Sequence, residues 1–351
     1  MSIFSFISEF AGFSNNALAI DLGTVNTLIA MHGSGVVLNE ATAVAVAEED
    51  EDIVLAVGNQ AVEMCGRTPG GVVLRYPFKS GVIADYRLAE YMIHDFFRKA
   101  VKRGMKHGLY AAPRVLLCVP ACVTDVEKRA VCEAVRHAGA RDVLVADEIM
   151  AACVGSGLPY DEPQGSLVVD IGGGTSDAAV IVLGGIAVSK SVRLGGNHID
   201  SAIISYIRKK YNVVIGSRSA EQMKIKLSQS DNKHSSIEVS GLNLETGLPK
   251  VVNVTQAELS DSISGSIAEL VTLVHDVLSI TPPELASDII KSGIVLCGGG
   301  AYLYGLKEAL TAATGLDVKL SQNPLECVAL GAMELLDSMR RGTAQSAVVN
   351  Y

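Results

Sequence analysis

The segment VVDIGGGTSD (Val168–Asp177) breaks one strand-like run and opens another. The run Ser166 to Val169 reaches Asp170, the chain turns through IGGGTSD (Ile171–Asp177), and apolar sequence resumes from Ala178 to Leu183. The same order occurs earlier. Ala17 to Ile20 reach Asp21, DLGTVNT (Asp21–Thr27) turns, and Leu28 to Met31 are apolar again. A third Gly-rich turn, GGGA (Gly298–Ala301), follows the strand-like run Ile294–Cys297. The repetition predicts an internal duplication. The two halves would join near residues 155–165, where Gly155, Gly157, Pro159, Pro163 and Gly165 punctuate the chain.

A strand that ends in Asp before a Gly-rich turn has a chemical use. Glycines let successive backbone N–H groups converge on an anion, and such nests bind phosphate. The Asp at the strand end can face a hydrated Mg²⁺ on that phosphate. Two such turns would clamp a polyphosphate from both sides. A single Gly-rich turn is more often a plain hairpin; two matching turns with GGGA favour phosphate. A P-loop is excluded, since no GK[ST] occurs. A dinucleotide fingerprint is excluded too, because strand rather than helix follows IGGGT.

Composition agrees with a globular chain of roughly two domains at about 150 residues each. Of 351 residues, 49% are hydrophobic and 19% charged, against roughly 25% charged in an average globular protein. The net charge of −9, 5% aromatics and no Trp argue against nucleic acid as a partner. No uninterrupted apolar stretch is long enough to span a bilayer. The seven Cys are scattered without a C-x-x-C pair, which reads as reduced core thiols in a cytoplasmic protein. The His show no metal-ligand spacing.

Alternating strand-like runs and helices favour α/β layers. Helix starts are expected at Thr124 with Glu127, Ser219 with Gln222, Thr255 with Glu258, and Thr281 with Glu284, each a capping-box pattern. Asn323-Pro324 would open a final amphipathic helix through about Arg340. Glu148 falls in the first turn of a helix that begins DEIMAAC (Asp147–Cys153). Its carboxylate either complements the helix dipole or orients a water for attack on a γ-phosphate. Residues 1–16 differ from the rest, holding four of the seven Phe. Ile3, Phe6, Ile7, Phe10 and Phe13 make a stripe at helical spacing, with Phe4 beside it. The stripe fits either a terminal core helix or a helix lying in a membrane interface.

Taken together, these motifs resemble the actin-like ATPase superfamily. With GVIADY (Gly81–Tyr86), ETGLP (Glu245–Pro249), TPPELASDII (Thr281–Ile290) and LCGGGAYLYGL (Leu296–Leu306), they are similar to its MreB family of bacterial actins. The likeness runs from about Leu18 to Met339. It implies an α/β, actin-like fold: two duplicated ribonuclease-H-like halves, a nucleotide cleft between them and a small subdomain on each. Residues 17–155 with 324–341 would form the first half, its small subdomain near 43–75. Residues 156–323 would form the second, its small subdomain near 197–254, and 342–351 a flexible tail.

The resemblance also implies roles. Asp21 with Gly23, Thr24, Val25 and Asn26 would be the first phosphate turn; Asp170 with Gly172, Gly173, Gly174 and Thr175 the second. Both Asp would face Mg²⁺ through water. Glu148 would position the hydrolytic water, helped by Ser176. Glu221 and Lys224 would touch ribose and adenine, and Gly298, Gly299 and Gly300 would pass under the adenosine. The segment 1–16, through Phe4, Phe6, Ile7, Phe10 and Phe13, and a loop carrying Leu109 and Tyr110 would bind the inner face of the cell membrane. The family implies slow ATP hydrolysis, filaments of paired antiparallel protofilaments, and work with cell-wall synthesis and rod-complex proteins in setting rod shape. Four positions depart from the family's pattern: Ala41 and Ile149 stand where Pro is usual, Ser176 for Thr, and Ser228 for a Gly after the ribose helix. Ile149 keeps open a scaffold that binds nucleotide without hydrolysis. A small-molecule kinase of the same superfamily is the other alternative, although the chain has little room for a substrate pocket. A chaperone would need a peptide-binding domain with no counterpart here.

Overall fold

The computed structural model describes residues 17–64, 71–79, 81–104, 112–121, 123–229, 236–341 and 348–350. They fall into two units, the first holding residues up to Gln164, Ile181–Ala187 and Leu325 onward, the second Gly165–Val180 and Val188–Pro324.

The first unit opens with β1 (Ala17–Leu22), β2 (Asn26–Met31) and β3 (Gly35–Ala41), an antiparallel meander. A small sheet follows: β4 (Val44–Ala47) sits between β5 (Val54–Val57) and β6 (Val72–Arg75), with α1 (Asn59–Met64) beside them. After the short pair β7 (Phe78–Lys79) and β8 (Val82–Ile83) comes α2 (Tyr86–Gly104). Leu88, Met92, Phe96 and Ala100 recur on one face of α2 and are buried in the core of this unit. Then β9 (Arg114–Val119), α3 (Asp125–His137) and β10 (Asp142–Asp147) form a crossover unit that places β9 and β10 parallel to β1. α4 (Glu148–Gly155) closes this part of the chain.

The second unit repeats the plan. β11 (Ser166–Ile171), β12 (Ser176–Val182) and β13 (Gly185–Val192) come first, the facing ends of β12 and β13 within Ile181–Ala187 being grouped with the first unit, then α5 (Gly196–Tyr211). β14 (Val213–Val214), β15 (Ser236–Asn243) and β16 (Pro249–Thr255) make its small sheet, with α6 (Ser217–Gln229) inserted in sequence. α7 (Gln256–Ser279) and α8 (Pro283–Ser292) lead into β17 (Ile294–Cys297), a 3₁₀ turn at Gly299–Tyr302, α9 (Leu306–Thr314) and β18 (Val318–Leu320). Every residue of β11 is buried, as expected of a central strand covered on both faces.

The main sheets carry the same strand order. One runs β3-β2-β1-β9-β10 and the other β13-β12-β11-β17-β18. The fourth and fifth strands are parallel to the first in both. The duplication expected from the two Asp turns is thus present in the topology.

The chain ends in the first unit with α10 (Cys327–Arg341) and β19 (Val349–Asn350). Within the tail expected at 342–351, β19 pairs antiparallel with β10, and Val348 is buried. The two residues of β19 occupy a sheet edge that would otherwise leave N–H and C=O groups of β10 open. Two helix starts are corrected. Thr124 and Thr255 form complete capping boxes with Glu127 and Glu258. Ser219 lies inside α6, and the Thr281 hydroxyl donates back to Val277 O at 2.7 Å, so Pro282 caps α8 without a side-chain bond.

Candidate functional site

Asp21 and Asp170 hold equivalent places. Each is the fifth residue of its six-residue strand, and each lies in register with a Cys of the parallel neighbour, Cys118 on β9 and Cys297 on β17. The carboxyl ends of parallel strands are where open α/β sheets collect ligands. In the first unit, that edge carries Asp21 with its turn and, one residue past β10, Glu148.

The first turn is tightly closed. A Cβ on Gly23 would meet Asn26 O at 2.5 Å, so only glycine fits there. The turn is pinned by Thr42, whose side chain is fully buried. Its hydroxyl donates to Gly23 O at 2.7 Å and its N–H to Val25 O at 2.8 Å. The buried Thr27 hydroxyl lies 2.9 Å from that of Thr42. The Thr24 hydroxyl accepts from the N–H of Gly81 at 3.2 Å, which gives the GVIADY segment a place beside the turn. Asp21 keeps part of its surface open, yet burial pushes its carboxyl up to about 7, because desolvation penalises the charged form. A cation at that carboxylate would offset the penalty.

Glu148 is the first residue of α4, and all residues from Glu148 to Val154 are buried. The helix is locked by α10. A Cβ on Gly331 would meet Ala151 O at 1.9 Å, and one on Gly155 would meet Cys327 O at 1.9 Å. The two backbones touch where no side chain intervenes, so α10 sets where α4 begins.

In the second unit, the turn is held from below by α5. Gly196 and Asn197 donate their N–H groups to Gly172 O at 3.0 Å and Gly173 O at 2.9 Å. Gly195 must be glycine for this approach, since its Cβ would sit 2.6 Å from Gly172 O. Gly172 N–H bonds Thr175 O at 2.9 Å across the turn. Gly298, at φ +74°, lies against the base of this turn: a Cβ there would meet Asp170 Oδ1 at 2.5 Å. Gly300 fits under Ile171, whose Cγ2 a Cβ would meet at 2.1 Å. Gly298 to Gly300 therefore line the same strand end as Asp170, with Gly299 between them opening the 3₁₀ turn.

Lys224 and Glu221 project from α6. The Lys224 ammonium is 2.9 Å from Asp200 Oδ1 and donates to Gly196 O at 3.2 Å. It thus ties α6 to the start of α5, next to the second turn. Burial raises the Asp200 carboxyl, Lys224 opposes that rise, and Glu221 adds to it. Ser228, expected to follow this helix, lies inside it, its hydroxyl on Lys224 O at 3.2 Å.

The hydroxyl of Ser176 is fully buried and donates to Leu194 O at 2.6 Å. Its one proton is spent inside the core, which leaves the oxygen as an acceptor only. Phe4, Phe6, Ile7, Phe10, Phe13, Leu109 and Tyr110 lie outside the described residues. Among the described residues, no helix is long and apolar enough to cross a membrane. Nor do three or more His, Cys, Asp or Glu converge as metal ligands among them. A Mg²⁺ here would therefore take most of its ligands from phosphate and water, as that ion commonly does. Thr42, Asp200 and Gly331 are structural partners of the site that motif reading missed.

Comparison with known proteins gives a consistent result. A family model described as MreB/Mbl protein matches residues 15–344. The chain is 42% identical over 339 residues to the cell shape-determining protein MreB of Escherichia coli (strain K12), covering 94% of this chain and 97% of that one. It is 41% identical over 324 residues to the cell shape-determining protein Mbl of Bacillus subtilis (strain 168), covering 92% and 96%. Among solved structures, MreB5 of Spiroplasma citri bound to ADP superposes with a TM-score of 0.86 at 32% identity, covering 94% of this chain and 98% of that one. The AMPPNP-bound form gives 0.85 at 33%, covering 93% and 97%.

Proposed function

The chain belongs to the MreB/Mbl family and has the actin-like fold, and from this we propose that it is a nucleotide-dependent cell-shape protein. It binds ATP, hydrolyses it slowly and polymerises. The observation that carries the reading is the pair of Asp turns at equivalent strand ends, on a chain whose similar structures hold ADP and AMPPNP.

In this reading, Gly23 to Asn26 and Gly172 to Thr175 each offer backbone N–H groups to the phosphates of one ATP. Glu221 and Lys224 approach ribose and adenine, and Gly298 to Gly300 the adenosine. Asp21 and Asp170 would hold Mg²⁺ through water, and that ion supplies neutralisation of phosphate charge. Glu148 orients the attacking water at the γ-phosphate. Its fixed helix start keeps a carboxylate at one place, the condition for general-base positioning. Ser176, whose proton goes to Leu194 O, would assist only by accepting from that water.

Filaments of paired antiparallel protofilaments would lie on the inner face of the cytoplasmic membrane, anchored by Phe4, Phe6, Ile7, Phe10 and Phe13 with Leu109 and Tyr110. One anchor is weak, because ordering a free terminal segment costs roughly 1–2 kcal/mol per residue, against ~1.5–3 kcal/mol per buried Phe. A polymer multiplies such anchors through effective concentration. Its partners would be cell-wall synthesis and rod-complex membrane proteins. The test is co-sedimentation of the full-length protein with liposomes, with ATP and Mg²⁺ or without nucleotide, followed by electron microscopy of the pellet. ATP-dependent filaments on lipid are expected. Monomer in the supernatant under every condition, with ATP nonetheless bound, would overturn the assembly reading.

A further inference from the structure

We infer that Thr42 is a positioning residue that aims the phosphate-facing N–H groups of the first turn. The inference rests on the nucleotide reading above. All peptide bonds of the described chain are trans, so each carbonyl points away from the N–H of the next residue across the same rigid plane. Thr42 ties down two carbonyls of the turn, Gly23 O through its hydroxyl at 2.7 Å and Val25 O through its own N–H at 2.8 Å. The N–H groups of Thr24 and Asn26 are thereby turned the opposite way, away from Thr42. Thr42 spends its single hydroxyl proton on Gly23 O, so the 2.9 Å contact with Thr27 requires Thr27 to donate. The chain of bonds Thr27 to Thr42 to Gly23 therefore has one polarity. Both side chains are fully buried, so water does not compete for either hydroxyl.

The second turn reaches the same end by other means. There the N–H groups of Gly196 and Asn197 hold the carbonyls of Gly172 and Gly173. By the same plane geometry, the N–H groups of Gly173 and Gly174 face away from the start of α5. The first turn has no helix start bonded to its carbonyls among the described residues, and a buried Thr takes that place.

The test compares Thr42→Val, which keeps volume and loses the hydroxyl, with Thr42→Ser, which keeps it. ATP affinity in the presence of Mg²⁺ and the amide signals of the nucleotide-free, ¹⁵N-labelled chain are both read. Thr42→Val should bind ATP about ten-fold more weakly, the scale of one hydrogen bond to a charged group, and Thr42→Ser should stay near wild type. The Thr24 amide should shift in Thr42→Val while the Asn26 amide stays, because the backbone bond to Val25 O survives. A role in packing alone would move both or neither. Thr27→Val removes only the supporting donor, so its Thr24 shift should be smaller in the same direction; it carries the test if Thr42→Val does not fold. Wild-type affinity and an unmoved Thr24 amide in Thr42→Val would overturn the inference. A wild-type chain without affinity for ATP would sink the nucleotide reading instead, and the amide shifts alone would then decide whether Thr42 aims the turn.

Discussion

Gly331 and Gly265 are both glycines inside helices, and the same substitution should have opposite signs at the two. A Cβ on Gly331 in α10 would lie 1.9 Å from Ala151 O and 2.5 Å from Gly155 N, both backbone atoms of α4. Ordinary Cβ contacts begin at 3.4 Å, so the helices must part by about 1.5 Å. Overpacking costs ~1–3 kcal/mol and more when nothing flexible can yield; here the obstacle is backbone, so ~3 kcal/mol is the working figure. Ala gains at most ~1 kcal/mol over Gly from helix propensity. The clash wins by about 2 kcal/mol, and at roughly 2–4 °C per kcal/mol for a domain of this class Gly331→Ala should melt roughly 4–8 °C below wild type. Gly265 in α7 has nothing within 4 Å of its Cβ position and is exposed. There, only propensity acts, and Gly265→Ala should be stabilised by ~0.5–1 kcal/mol. Scanning calorimetry of the three proteins tests the pair. Gly155→Ala makes the reciprocal clash with Cys327 O, so the double variant Gly155→Ala/Gly331→Ala should cost less than the sum of its singles, the helices having already parted. A Gly331→Ala protein melting at or above wild type would refute the claim that backbone contact fixes α4.

Glu148→Ala should retain ATP binding and lose most phosphate release; wild-type turnover would remove Glu148 from the chemistry. Deleting Met1 to Phe13 should weaken liposome co-sedimentation and leave nucleotide affinity intact, and unchanged pelleting would shift the anchoring to Leu109 and Tyr110. Burial works against the Glu258 carboxylate, but bonds from Lys210, Thr255 and Tyr211 outweigh it and hold the group down to about 2. The stability this contributes is fully present above about 4.5 and is lost as pH falls toward 2. Urea midpoints at pH 5 and pH 3 should therefore fall more steeply in wild type than in Glu258→Gln; equal slopes would count against the bonded carboxylate.

Much of this was legible in the sequence because local chemistry forced it. Asp21 and Asp170 stand out as the only interruptions of their apolar strands, and a Gly-rich turn after each leaves few alternatives. The capping boxes at Thr124 and Thr255 were readable for the same reason: donor and acceptor are three residues apart. Ser219 and Thr281 show the pattern without the bonds: Ser219 lies inside α6, and the Thr281 hydroxyl donates back to Val277 O. The close contact of α4 with α10 through Gly155 and Gly331 is a tertiary fact that no local pattern announced. Asp200 lay hidden because its partner Lys224 sits on another helix.

Ser176 and Thr42 show where motif reading ends. Both carry one hydroxyl, and a motif records that a hydroxyl is present without recording where it points. Ser176 adjoins a phosphate turn in sequence, so resemblance assigned it to water. Yet it begins a strand whose residues Ser176 to Ile181 are all buried, and a buried hydroxyl must find a protein acceptor, here Leu194 O. Thr42 stands well outside the turn in sequence and belongs to no motif. The same requirement makes it bond the nearest open carbonyl, which is Gly23 O. The tendency of buried hydroxyls to find partners thus commits the Ser176 proton to the core and brings Thr42 to the first turn. It acts on three-dimensional neighbours, and for that reason both bonds could be seen only in the fold.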